Sequence, residues 1–224
     1  MSVCIDRVSE WMRANRLQLN CSKTEVPWCE SPRQHDNLPD TPLRIGNDTV
    51  VPVRSVRNLG IYVDSDMSMC THVTKIVANC FASLRRLRSI RRSLSQSVLL
   101  SLVTALTMTR LDYGCTTLAG IPRHLTDRLQ SVLNAAARLV FNARKYDHVS
   151  HLLRDLHWLH VPERIKFRLA VHVFRCLHNM APPYLSHGVL DNSYYMGVHT
   201  SAAIFIGLTR QSHCNDYGQA LSRA

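Results

Sequence analysis

The chain has 224 residues, of which 46% are hydrophobic and 19% charged, and its formal net charge is +11. This length and composition can bury a core and exclude an intrinsically disordered chain. No apolar run is long enough to span a bilayer, and charges interrupt any signal-like core in residues 1–17. We therefore expect an intracellular protein, in the nucleus or the cytoplasm, with no membrane partner.

The positive charge is concentrated in the middle of the chain. Residues 1–69 carry 8 basic and 9 acidic side chains, residues 70–180 carry 17 and 5, and residues 181–224 carry 2 and 2. A uniformly basic protein would spread this excess over its length. The concentration in one block is typical of a surface that binds a polyanion.

The first third of the chain alternates between helical and strand-like patterns. Apolar residues at helical spacing begin the chain, after which the period changes to that of strands. Gly46-Asn47-Asp48 tolerate positive φ and indicate a hairpin turn. We expect a helix over residues 3–15, strand-like segments over 17–20 and 24–29, a hairpin centred on 46–48 and a further strand over 57–66.

Beyond Met69 the pattern is helical almost to Met180. An apolar stripe runs over residues 73–87, and Arg85, Arg88 and Arg92 fall on another face of the same helix. Further helices are expected from Ser95 to residue 113, and over residues 125–140, 148–156 and 162–180. The chain is thus predicted to be α+β, with a small antiparallel strand section followed by a mainly helical bundle.

Five segments occur in an order that is similar to that of reverse transcriptases of non-LTR retrotransposons, the LINE elements of the jockey and CR1 kind. Together they cover nearly the whole chain. The segments are WMRANRLQLNCSKTEV (11–26), VRNLGIYVDSDMSMCTHV (56–73), LDYGCTTLAGIP (111–122), LHWLHVPERIKFRLAVHVFRCLHNMAPPYL (156–185) and YGQALSRA (217–224).

The resemblance implies a role for several residues. LQLNCSKTEV resembles motif D of the polymerase palm, which makes Lys23 the candidate general acid for the leaving pyrophosphate. Leu59 and Gly60 match the turn that grips the primer terminus. The resemblance divides the chain into a residual palm over residues 1–69, a basic thumb-like bundle over 70–185 that holds the template–primer duplex, and a poorly defined segment over 186–224.

The sequence lacks the adjacent pair of aspartates with which such polymerases hold two metal ions. The resemblance therefore implies a truncated fragment of an RNA-directed DNA polymerase that is inactive alone. Magnesium is implied for the full-length parent enzyme, and no cofactor is expected in this fragment. The missing palm and fingers would be a natural partner of such a fragment.

Three patterns have simpler interpretations. Lys23 can be a solvated surface lysine, and Asp64 and Asp66 fit a turn at a strand end better than a magnesium site. His148, His151, His157 and His160 form two H-x-x-H steps that could bind zinc, but helix-capping or packing roles are commoner. Because the eight cysteines include no C-x-x-C pair, the sequence also argues against a zinc ribbon.

The run RRLRSIRR over residues 85–92 is the main candidate for nucleic-acid binding. Arg85, Arg86, Arg88 and Arg92 are expected to contact phosphates of an RNA–DNA hybrid or duplex, with strong dependence on salt. Tyr113 and Trp158 could stack on bases, although burial is the simpler expectation for both. Two alternatives are a domesticated, non-catalytic nucleic-acid-binding module and a structural or interaction protein with no nucleic-acid role.

Overall fold

The structure of the chain, a computed structural model, describes residues 2–28, 42–45, 48–183 and 185. The chain divides into two compact units, Met1–Asn79 and Cys80–Ala224. The division falls inside the long helix that begins at Cys70, whereas the sequence pattern placed the boundary before that helix. The segment 186–224, which we expected to be poorly defined, lies outside the described residues.

The first unit contains one complete helix, two hairpins and the start of a second helix. Helix α1 spans Ser2–Ala14, which agrees with the predicted helix over residues 3–15. Strands β1 (Leu43–Ile45) and β2 (Asp48–Val50) pair antiparallel, with Ile45 opposite Asp48. This register confirms the predicted hairpin; Gly46 and Asn47 of its turn lie outside the described residues.

The strand-like segments predicted over residues 17–20 and 24–29 are wrong where the structure describes them. Cys21–Lys23 form a 3-10 turn instead, and the segments on either side of it contain no strand. Asn20 explains the difference, because its backbone oxygen accepts from the Lys23 N–H at 3.0 Å and from the Thr24 hydroxyl at 2.9 Å. Its side-chain oxygen accepts from the Ser22 hydroxyl. Such local bonds compete with a strand ladder.

The segment predicted as one strand over residues 57–66 folds into a second hairpin. Strands β3 (Ser55–Asn58) and β4 (Ile61–Asp64) pair antiparallel, with Asn58 opposite Ile61. Leu59 and Gly60 make the turn and have φ values of +47° and +88°. Positive φ at both positions is the geometry of a type I′ turn, whose twist matches that of the flanking strands.

The regular elements of the second unit are all helical within its described residues. Helix α2 crosses the division and ends in a short 3-10 turn, and α3 continues into α4 through a π-helical segment. A second 3-10 turn joins α4 to α5. The helices are α2 (Cys70–Ile90), α3 (Gln96–Val103), α4 (Thr109–Asp112), α5 (Arg123–Phe141), α6 (Ser150–Asp155) and α7 (Val161–Leu177); the irregular turns are Arg91–Ser93, Thr104–Met108 and Cys115–Leu118.

Helix α5 lies at the centre of this unit and packs against α3, α6 and α7. One broad face of α5 is buried, as its apolar residues at helical spacing predict. The neighbouring helices contribute Leu99 and Val103 from α3, Leu153 from α6 and Ile165 from α7. The buried residues of α5 are Leu125, Leu129, Val132, Leu133, Ala136, Ala137 and Val140.

The π-helical segment Thr104–Met108 is an irregularity that periodicity does not reveal. The Thr109 N–H bonds to the Thr104 carbonyl, one residue further back than in an α-helix. Thr107 is fully buried, and the Cys80 thiol lies 3.9 Å from its carbonyl oxygen. Burial raises the pKa of the Cys80 thiol to about 11, although Arg110 opposes the effect. Cys80 is therefore a protonated packing residue at neutral pH.

The described residues thus form a mixed α+β chain with two small antiparallel hairpins and a helical second unit, which confirms the coarse fold prediction. Among these residues, no helix combines the length and the apolar character that crossing a membrane requires.

Candidate nucleic-acid interface

Four arginines form an exposed row at the end of helix α2. Arg85, Arg86 and Arg88 lie in its last turns, and Arg92 lies in the 3-10 turn that follows. No described carboxylate lies within 4.0 Å of any of these four guanidinium groups. The other face of the helix is buried through Leu84 and Leu87, which forces the arginines toward solvent.

Other arginines of the second unit hold the helices together. The Arg110 guanidinium donates to the Ser83 hydroxyl at 2.9 Å and so joins α4 to α2. Asp112, at the end of α4, accepts from Arg164 at 2.8 Å and pairs with Arg168 at 3.3 Å, both on α7. The Arg164 pair is partly buried, whereas Arg168 is about half-exposed, and the single Asp112 carboxylate partly offsets the two positive charges. The arginine row of α2 has no such partner among the described residues.

A turn closed by hydrogen bonds adjoins the end of the arginine row. Arg91 donates through its guanidinium to the Asn142 side chain, directly after α5. Two residues further on, the Arg144 N–H donates to the Asp147 carboxylate at 2.6 Å, and the Asp147 N–H returns to the Arg144 carbonyl at 3.2 Å. Arg138 also donates to the Asp147 carbonyl. Periodicity does not predict this element, although Asn142 and Asp147, which flank the pair Arg144-Lys145, are residue types typical of turns.

Lys23, the candidate general acid, is exposed in the 3-10 turn Cys21–Lys23. No described carboxylate lies within 4.0 Å of its ammonium group. Within the part of the chain that the structure describes, no group of three or more His, Cys, Asp or Glu side chains could hold a metal ion. The described residues therefore give Lys23 no partner for proton transfer.

Leu59 and Gly60 lie together at the tip of the β3–β4 hairpin. Leu59 is 83% exposed, and its backbone adopts the left-handed conformation, which is uncommon for a residue other than glycine. Beside the tip, the Arg57 guanidinium lies 5.8 Å from the centre of the Tyr62 ring, within the range of a cation–π contact. The tip thus presents an apolar side chain next to a positive charge.

Asp64 and Asp66 serve the junction between β4 and helix α2. The Asp64 carboxylate accepts from the Thr71 N–H at 2.9 Å, in the first turn of α2, and from the Ser68 hydroxyl at 3.4 Å. The Asp66 carboxylate accepts from the Ser68 N–H at 3.0 Å. Because both carboxylates satisfy donors at the start of the helix, these contacts support the interpretation as a strand-end turn.

Two of the four zinc-candidate histidines lie at helix ends. His157 has φ +55° directly after α6; its N–H donates to the Arg154 carbonyl at 2.9 Å, and the Trp158 N–H donates to the Leu153 carbonyl at 2.8 Å. This pair of bonds is a Schellman motif. His160 is the N-terminal cap residue of α7. Their positions agree with the capping interpretation.

A buried histidine that the sequence analysis did not single out lies in the first turn of α2. His72 is 1% exposed, and its Nδ1 accepts from the Tyr62 N–H of β4 at 3.3 Å. Its Nε2 is buried and has no hydrogen-bond partner among the described residues. Burial lowers the pKa of His72, while the nearby Asp64 acts in the opposite direction. His72 is therefore a neutral link between hairpin and helix.

The expectation that Tyr113 is buried is wrong, because Tyr113 is 53% exposed. It follows the last residue of α4, where the backbone becomes extended and the chain leaves the helix. Trp158 is half-buried.

No family model matches the chain, and no curated protein or solved structure matches it either. The fold class therefore rests on the structure itself, and it is mixed α+β. The palm, the thumb and the polymerase ancestry are proposals that rest on the motifs and on the geometry described above.

Proposed function

We propose that this chain is a palm and thumb fragment of a LINE-type RNA-directed DNA polymerase that retains binding of template–primer duplexes. The observation that carries the proposal is the exposed row Arg85, Arg86, Arg88 and Arg92, which has no acidic partner among the described residues. The row lies in the block of the sequence that holds the excess positive charge. A surface of this kind favours phosphate binding.

The expected ligand is the backbone of an RNA–DNA hybrid or another duplex. Arg85 and Arg92 are separated by about 10 Å along the helix, at 1.5 Å per residue. One strand of a duplex places a phosphate about every 3.4 Å along its axis, so that the row can contact about three phosphates. Contacts to phosphates carry no base sequence, and the binding should be only weakly sequence-selective.

The proposed activity is binding and not polymerisation. The sequence contains no adjacent aspartates to hold a pair of magnesium ions. Asp64 and Asp66 do not fit that role, since Asp64 already accepts from the Thr71 N–H in the first turn of α2, and Asp66 accepts from the Ser68 N–H just before the helix. Lys23 would serve as general acid only in the parent enzyme, and the palm and fingers of such an enzyme would be the natural protein partner.

The hairpin tip supports the proposal from the first unit. An exposed leucine held at positive φ costs conformational energy, and such strain is concentrated at functional sites. Gly60 leaves room for the close approach of another backbone. We assign Leu59 and Gly60 to contact with the primer end.

A second candidate function, protein–protein contact, is favoured by helix α1. Trp11 is 62% exposed, and Val8 and Leu17 are also exposed. Val8 and Trp11 are three positions apart on α1 and so share one face, and exposed apolar side chains on one face recruit partners or promote self-association. Sedimentation that depends on concentration, and that a Trp11→Ser variant abolishes, would support this candidate without affecting the first.

The proposed function is tested with an Arg85, Arg88 and Arg92 to Ala triple variant and a labelled RNA–DNA hybrid. Each lost phosphate contact weakens binding by about 1 kcal/mol or more, so we expect affinity to fall roughly a hundredfold at low salt. The matched control replaces Arg7, Arg13 and Arg16 by alanine. These arginines are exposed in the first unit, so the control variant loses the same amount of charge.

The control variant should lose less than about threefold, because its arginines are outside the proposed row. Equal losses in the two triple variants would show that only net charge matters. An unchanged affinity in the α2 variant would contradict the proposal directly.

A further inference from the structure

The turn Arg144–Asp147 presents an aromatic ring to solvent on a fixed backbone. Tyr146 is 88% exposed, which is the largest exposure of any large apolar or aromatic side chain among the described residues. The turn beneath it is closed by two hydrogen bonds between Arg144 and Asp147 and by a third from Arg138. The backbone that carries the ring is therefore ordered, although the ring itself contacts little of the protein.

The surroundings of Tyr146 are positively charged. The Lys145 ammonium lies 5.8 Å from the centre of the ring, and Arg144 is exposed beside it. No described carboxylate forms an ion pair with either side chain; the one acidic neighbour, Asp147, uses an oxygen to close the turn. The Arg91–Asn142 contact fixes this basic turn beside the end of the arginine row.

An exposed aromatic ring beside lysine and arginine is the combination with which proteins bind single-stranded nucleic acid. The ring stacks on an unpaired base, and the cations contact the flanking phosphates. A base inside a duplex cannot use such a ring, because its two faces are already stacked on neighbours. The ring consequently distinguishes unpaired from paired nucleotides.

We propose that Tyr146, with Arg144 and Lys145, binds an unpaired nucleotide next to the duplex that the arginine row holds. This inference rests on the proposed function and specifies its ligand: a duplex with a single-stranded extension, in preference to a blunt duplex. The duplex phosphates contact the row on α2, and the extension passes over the turn where Arg91 meets Asn142. Tyr146 is a binding residue in this arrangement.

The test compares two RNA–DNA hybrids with the same paired core, one blunt and one with a short unpaired extension that contains 2-aminopurine. Stacking on an aromatic ring contributes about a tenfold gain in affinity per base, so the wild-type chain should prefer the extended hybrid by about that factor. Its binding should also quench the 2-aminopurine fluorescence. Tyr146→Leu should remove both effects and leave the affinity for the blunt hybrid unchanged.

Two variants complete the design. Tyr146→Phe keeps the ring and should keep the preference and the quenching. Tyr113→Leu removes another exposed tyrosine of the same unit and should change neither. Together they separate stacking at position 146 from a general effect of losing a tyrosine.

The outcomes separate the two proposals. A wild-type chain that binds both hybrids equally, or a Tyr146→Leu variant that retains the preference, overturns the role of Tyr146 and leaves the duplex-binding row intact. A wild-type chain that binds neither hybrid overturns both. If Tyr113→Leu loses the preference and Tyr146→Leu keeps it, the stacking residue is Tyr113, and the inference is also overturned.

Discussion

Burial determines the protonation chemistry of His72. It accepts the Tyr62 N–H through Nδ1, so the neutral ring must carry its proton on Nε2, which is buried without a described partner. Protonation of Nδ1 would break the bond to Tyr62 and place a charge in the interior. Burial lowers the pKa of His72 for this reason, and the attraction of Asp64 only partly offsets the effect.

The lowered pKa of His72 predicts that the free energy of unfolding decreases as the pH falls. Below its ordinary pKa of 6.5 the unfolded chain binds a proton that the folded chain does not. The contribution of His72 to the free energy of unfolding is therefore fully present above pH 6.5. It is lost as the pH falls from 6.5 toward the lowered pKa of the folded chain. In His72→Asn, whose amide oxygen can accept the Tyr62 N–H without titrating, urea unfolding between about pH 5 and pH 7.5 should show a shallower pH dependence. An equal dependence in the two proteins would refute this assignment.

At the scale of elements, the regular helices follow from the sequence because burial on one face repeats with the helical period. Helices α1, α2, α5 and α7 lie where their apolar stripes predict them, and the Ser95 side chain accepts from the Val98 N–H at the start of α3 as its sequence position indicates. The 3-10 turn before Thr24 was missed, since Asn20 collects several local hydrogen bonds that no periodicity encodes.

Only part of the candidate site follows from the sequence. The arginine row was predictable because Arg85, Arg88 and Arg92 repeat at helical spacing beside a buried apolar stripe, with Arg86 next to them. The basic turn was missed because its placement depends on the Arg91–Asn142 contact, which joins residues 51 positions apart. Such contacts depend on the packing of α2 against the rest of the unit and leave no local signal. Tyr146 therefore became visible only in the folded chain.

The β3–β4 hairpin yields a prediction that separates stability from function. A type I′ turn favours Asn-Gly, whereas leucine at positive φ costs roughly 1 kcal/mol. Leu59→Asn should raise the free energy of unfolding of the first unit by about 1 kcal/mol in urea titrations. The same change should weaken binding of a hybrid with a recessed primer end, because it removes the exposed apolar tip.

Binding of the hybrid by Leu59→Asn decides whether the tip contacts nucleic acid. If Leu59→Asn stabilises the hairpin and leaves hybrid binding unchanged, the strained leucine has no contact with nucleic acid. A Leu59→Met control keeps an apolar tip and should bind as the wild-type chain does.

At the scale of the whole molecule, the distribution of charge matters more than its total. The first unit is nearly balanced, and the excess positive charge belongs to the block that contains α2, α5 and α7. Within that block the structure distinguishes two uses of arginine. Arg164 and Arg168 are paired with Asp112, whereas the row on α2 and the basic turn present charge that no described carboxylate neutralises. The second group, unlike the Asp112 pairs, is available to a polyanion.

The most direct test of this account is the dependence on salt of the affinity of the wild-type chain for an RNA–DNA hybrid with a single-stranded extension. Each phosphate contact contributes roughly −0.9 to the slope of log affinity against log salt concentration, so the row and the basic turn together predict a slope of about −4 or steeper. Replacing Arg85, Arg88 and Arg92 by alanine should make the slope shallower by about 3. A slope near zero, or one that the triple variant leaves unchanged, would contradict the claim that this chain binds nucleic acid through helix α2.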